Sequence, residues 1–148
     1  MADLLECLIQ IKGLADTPRR LAQRTADAVS GCPSPGEASR RARDVACRLL
    51  LAEREFRGSL SRMLAHDRPS LPRLDVIGAA GIPSELPGEC ARAFAAERAE
   101  TVGLLEACSA DQLNRIGIEP SRGPMTVADL VAVMLAHDTD RLGELVTR

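Results

Sequence analysis

An imidazole, a carboxylate and a guanidinium stand close together near the end of this chain. They are His137, Asp138 and Arg141, in the run TVADLVAVMLAHDTDRLGELV over residues 126–146. Val127, Leu130, Val131, Met134, His137, Asp138, Arg141 and Leu145 recur at three- and four-residue intervals, the period of one helix face. That face is apolar for two turns and polar in the third. Burying such groups without partners is costly, so the third turn is either a pocket or an internal ion-pair network. The helix that carries it has a clear start: Thr126 and Asp129 form a T-x-x-D capping box, and Pro124 blocks extension backwards.

Other chemistry-bearing residues are more isolated. Arg48 falls at the edge of the apolar stripe of an earlier helix, and its neighbour Cys47 is either a thiolate favoured by the guanidinium or a small core residue. His66-Asp67 is a base with its orienter, or simply a polar helix end. Glu53 is expected to pair with Arg57 four residues on. Asp138 and Asp140 point in different directions on a helix and do not form a carboxylate pair. No phosphate-binding glycine loop, Ser/His/Asp pattern or zinc-hydrolase motif is present.

The elements that must position these residues are helical. The 148 residues suit one domain over 1–148, and the 45% apolar content is almost all aliphatic, with Phe56 and Phe94 the only aromatics. A net charge of −2 and the lack of stacking aromatics argue against a nucleic-acid partner. No apolar run suits a signal peptide or a membrane span. The five cysteines lack C-x-x-C or zinc spacing and their number is odd, which fits reduced thiols and a cytoplasmic protein.

Apolar spacing predicts a first helix over about 2–29, kinked or divided at Thr17-Pro18. Ser34, Pro35 and Glu37 then offer an N-cap, a first-turn proline and a capping-box acid for a helix reaching about residue 65. Its buried stripe comprises Ala42, Val45, Ala46, Leu49, Ala52, Phe56, Leu60 and Met63. Residues 66–87 hold four prolines and two glycines and read as a functional loop or lid. A third helix over about 88–108 has Cys90, Phe94, Val102 and Leu105 inward, with Glu97, Arg98 and Glu100 toward water. A short capped turn at 109–112 and a connection over 114–120 lead to the last helix. The fold class is all-α, an up-down four-helix bundle.

The segments DVACRLLLAEREFRGSL, HDRPSLPRLD and DQLNRIGIEPSRGPMTVADLVAVMLAHDTDRLGEL resemble the DinB/YfiT-like family of four-helix bundles. That resemblance implies a three-histidine zinc or nickel site, one ligand on the second helix and two on the last as H-D-x-x-H. It implies transfer of low-molecular-weight thiols such as bacillithiol or mycothiol, thiol-dependent isomerisation or metal-dependent hydrolysis, and dimerisation. Aligned on Glu53 and on His137-Asp138, this chain has Arg48 and Arg141 where two of the histidines belong. A guanidinium stays protonated and cannot ligate a metal, so the expectation is no metal and no cofactor. Arg48, Arg141, His137 and Asp138 then either bind a small anionic or thiol-bearing ligand, with His137 as proton carrier, or plug the old cavity through ion pairs. An oligomerising, non-catalytic member and a metal-dependent transferase or hydrolase with unusual ligands are the alternatives.

Overall fold

The computed structural model describes residues 3–74, 82–83 and 88–145. Its order is α1 (Leu4–Gly31), α2 (Pro35–Ala65), α3 (Cys90–Glu106), α4 (Ala110–Leu113), β1 (Ile116–Glu119), β2 (Gly123–Thr126) and α5 (Val127–Gly143). The four long helices, α1, α2, α3 and α5, form the expected bundle. Every residue of the expected α2 stripe is buried.

Local chemistry sets the ends. Asp3 accepts the Glu6 N–H to open α1, and Thr126 with Asp129 forms the expected reciprocal box on α5. Ser109 and Gln112 do the same for α4. At α2 the proline stands in the first turn, but the Ser34 side chain makes no cap bond, and the Ser34 carbonyl takes the Glu37 and Ala38 amides instead.

The first helix is continuous rather than divided at Pro18. Proline has no N–H to give the carbonyl four residues back, which would leave Leu14 O without a partner inside the helix. Arg98 Nη1, from α3, donates to Leu14 O at 3.0 Å and fills that vacancy. A tertiary contact thus replaces the missing helical bond.

The connection expected over 114–120 is instead half of a β-hairpin, with Ile116 opposite Thr126 and Glu119 opposite Gly123. Gly123 sits at φ 75°, a conformation glycine adopts without the usual side-chain strain. The hairpin has a third neighbour. Residues 69–74 run beside β1 as a strap, with the Leu71 amide bonded to Ile118 O and the Ile118 amide to Pro69 O, each at 2.8 Å. Contact here is close: a Cβ on Gly117 would lie 2.7 Å from Leu71 Cδ1. The beginning of the expected lid is therefore fixed to the hairpin, while its remainder, 75–81 and 84–87, lies outside the described residues.

Two apolar clusters fill the bundle, one around Leu14, Phe56, Val102 and Met134, the other around Leu21, Leu50, Phe94 and Leu142. Cys47 and Cys90 are joined as a disulfide between α2 and the first turn of α3. This corrects the expectation of five reduced thiols and removes the Cys47 thiolate as a nucleophile. Cys7, Cys32 and Cys108 remain thiols.

Candidate functional site

Each long helix places one polar residue at the level where the two apolar clusters meet: Thr17 on α1, Glu53 on α2, Arg98 on α3 and Asp138 on α5. All four are at most 2% exposed. Arg98 is the hub. Its Nη1 and Nη2 grip the two oxygens of Asp138 at 2.6 and 2.9 Å, and its Nε donates to Glu53 Oε1 at 3.0 Å. Thr17 Oγ1 adds a 2.6 Å bond to Asp138 Oδ2, and the guanidinium lies over the Phe94 ring at 4.8 Å. Burial works to lower the Arg98 pKa, but Asp138 and Glu53 outweigh it and hold the guanidinium charged. Paired, bidentate and bonded to Leu14 O, this charge is a structural knot.

Two expectations are corrected here. Arg98, expected toward water, is 2% exposed, and Phe94, Arg98, Thr101 and Leu105 follow the stripe spacing. Glu53 pairs with Arg98 rather than Arg57, which reaches across to Glu100 at 2.9 Å and to Thr101 Oγ1 at 3.1 Å. Sequence spacing carried the signal for the knot: an ionisable residue interrupts the apolar stripe of each of three helices.

His137, one residue before Asp138, faces another way. It lies among the residues lining a cavity of about 620 Å³, together with Phe56, Leu74, Met125, Arg122 and Asp140. Its ring meets Phe56 edge-on at a centroid distance of 5.7 Å. Both ring nitrogens are shielded from solvent and neither has a hydrogen-bond partner among the described residues. Burial lowers the imidazole pKa, as do the nearby Arg141 and Arg98 charges, against a smaller upward pull from Asp138 and Asp140. At neutral pH the ring is uncharged, with one N–H donor and one lone pair unmet.

The hairpin supplies the cavity's cation. Buried Glu119 accepts bonds from Ser121 N, Ser121 Oγ and Arg122 N at 3.2, 2.9 and 2.9 Å. Burial raises the Glu119 pKa, but these bonds and one from the Leu74 amide together hold it below the usual carboxylate range. The folded turn presents Arg122 at the cavity with a half-exposed side chain. Sequence reading missed Arg122, whose position depends on the hairpin.

The other residues singled out from sequence lie elsewhere. Asp138 is in the knot. Arg141 is half-buried, donates to Glu144 Oε1 at 3.1 Å and reaches His137 through its charge. Arg48 is half-buried on α2. Neither arginine is among the cavity's lining residues. His66 is exposed at the end of α2, where its carbonyl accepts Arg115 Nη2 at 2.9 Å.

A knot across four helices with a histidine-lined cavity beside α5 is the arrangement to set against known proteins. The DinB superfamily model matches residues 17–145. The chain belongs to the DinB superfamily. Among solved structures, YfiT from Bacillus subtilis is similar, with a TM-score of 0.75 and 13% identity over 98% of this chain and 86% of that one. YfiT is described as a probable metal-dependent hydrolase with an unusual four-helix bundle topology. At that identity the likeness concerns the DinB fold. No curated protein matches the chain.

A metal of the kind that description implies does not fit the donors of this DinB chain. Arg48 and Arg141, which the sequence resemblance puts where two ligand histidines are expected, cannot offer a lone pair. Among the described residues, no three His, Cys, Asp or Glu side chains gather as a ligand group. Nor is any described helix long and apolar enough to cross a membrane.

Proposed function

We infer that this DinB protein binds a small molecule in the cavity beside His137, without a metal. The observation that carries this reading is the imidazole itself: neutral, with both nitrogens unpartnered among the described residues, at the wall of a cavity of about 620 Å³. Buried polar atoms in native proteins almost always have partners, and one without them beside a cavity marks a place for a ligand. The volume suits a small organic ligand. Arg122 is the group that would hold an acidic end, and Asp140 one that would hold a donor.

A thiol-bearing acid uses these features together. Its carboxylate would meet Arg122, and a modest turn of the ring would let His137 accept the S–H proton and favour the thiolate. Arg141 is not a ligand contact in this reading; its charge helps to keep His137 neutral. A cytoplasmic setting would supply small thiols.

The test is calorimetric titration with mercaptoacetate, alongside elemental analysis of protein purified without a histidine tag. Saturable binding that disappears in His137→Phe and weakens about tenfold in Arg122→Ala, with substoichiometric metal, is the expected result. One tightly held ion per chain would return the protein to metal-dependent chemistry.

A second reading rests on the start of α1, where Leu5, Leu8 and Ile9 are 70%, 50% and 61% exposed. Such an apolar patch suits a homodimer contact. Light scattering should show a dimer that Leu5→Glu with Ile9→Glu converts to a monomer; an unaltered mass would dismiss the patch as its contact.

A further inference from the structure

A second, smaller cavity of about 330 Å³ lies on the other side of the strap. It is lined by Glu55, Gly58, Ser59 and Arg62 of α2 and by Pro72 and Arg73 of the strap. Glu55, Ser59 and Arg62 follow one another at four and three residues and so share a helix face. Leu74, next to Arg73, lines the His137 cavity, so the strap divides the two.

One group in this small cavity is unexplained. Ser59 is 1% exposed and its hydroxyl has no hydrogen-bond partner among the described residues. A helical serine ordinarily settles its hydroxyl on the carbonyl four residues back, and this one does not. Two guanidiniums reach the same cavity from different elements. Arg62 Nη1 approaches Ser70 O of the strap at 3.4 Å. Arg73 lines the cavity from the strap.

We propose that Ser59, Arg62 and Arg73 form a binding site for a small oxyanion, a phosphate or carboxylate group, that bridges α2 and the strap. The hydroxyl supplies the buried donor, and the two guanidiniums supply the charge in fork geometry suited to planar or tetrahedral oxygens. Glu55 also lines this cavity, and partial burial pushes its pKa up. The cavity's size admits a single acid group with a small substituent. Among the described residues, the site shares no lining residue with the larger cavity.

The experiment titrates the full chain with inorganic phosphate and, separately, acetate at constant ionic strength, reading heat and the hydrogen-exchange rate of the Leu71 amide. Saturable binding of at least one probe is expected, weakened tenfold or more by Arg62→Ala and by Arg73→Ala, less by Ser59→Ala, and unchanged by the distant Arg43→Ala. Slower Leu71 exchange with the bound anion would confirm the bridge. Both arginines are exposed, so their alanine variants should fold. Absence of saturable binding to either probe, or binding retained in the Arg62→Ala/Arg73→Ala double variant, overturns the proposal.

Discussion

His137 and Asp138 are adjacent in sequence and opposite in circumstance. Asp138 turns into the bundle, where both its oxygens are bound by Arg98 and one also by Thr17. His137 lines the cavity, and neither of its shielded ring nitrogens has a partner among the described residues. A helix rotates about 100° per residue, which is enough to send one side chain to the scaffold and the next to a site. The difference teaches how to sort buried polar groups in this fold. Asp138, with both oxygens bound, holds the structure together, whereas His137, unpartnered among the described residues and beside empty volume, is where a ligand belongs.

The knot should break first and hardest. Arg98→Ala would leave two carboxylates buried without their cation and Leu14 O without a donor, costing about 3–5 kcal/mol by urea denaturation. A loss below about 1 kcal/mol would mean that the knot is not formed. Replacing all its members together, Arg98→Met with Glu53→Leu, Asp138→Leu and Thr17→Val, removes the desolvated charges as well as their bonds. That variant should recover most of the loss seen in Arg98→Ala and end near the parent or above it.

Pro18 sharpens the same contrast. A proline-to-alanine change in an ordinary helix interior gains about 3 kcal/mol. Here the carbonyl that proline leaves open is already bound by Arg98, so Pro18→Ala should gain well under that amount in the same denaturation assay. A full gain would show that Arg98 contributes nothing to α1.

His137→Phe should change stability least, by under about 1 kcal/mol at pH 8, because it replaces two unmet polar atoms with an apolar edge against Phe56. The sign of its pH effect follows from linkage. The folded pKa lies below the unfolded value, so as pH falls through about 6.5 the unfolded chain takes up a proton that the folded chain does not. Stability therefore declines on acidification until the folded pKa is reached, and this part of the decline should vanish in His137→Phe.

Much of the bundle was legible because α2 and α5 repeat their apolar residues at helix spacing. The hairpin was not: β1 and β2 have four residues each, and their pairing with one another and with the strap is tertiary. For the site, His137 and Asp138 were visible as polar interruptions of an apolar face; Glu53 and Arg98 carry the same mark, but Glu53 has the nearer Arg57 four residues on and Arg98 stands beside the charged Glu97. Arg122 left no such signal, since only the Glu119-centred turn brings it to the cavity. The Cys47–Cys90 pair was equally hidden, because cysteines 43 positions apart reveal their proximity only after α2 and α3 pack.

The most direct measurement is an NMR pH titration of the His137 ring, assigned against a His66→Asn variant, with and without mercaptoacetate. The ring should titrate below 6.5 alone and shift its resonances and its pKa when the ligand binds. A ring that titrates at or above 6.5 and ignores saturating ligand would contradict the neutral, unpartnered imidazole on which the site rests.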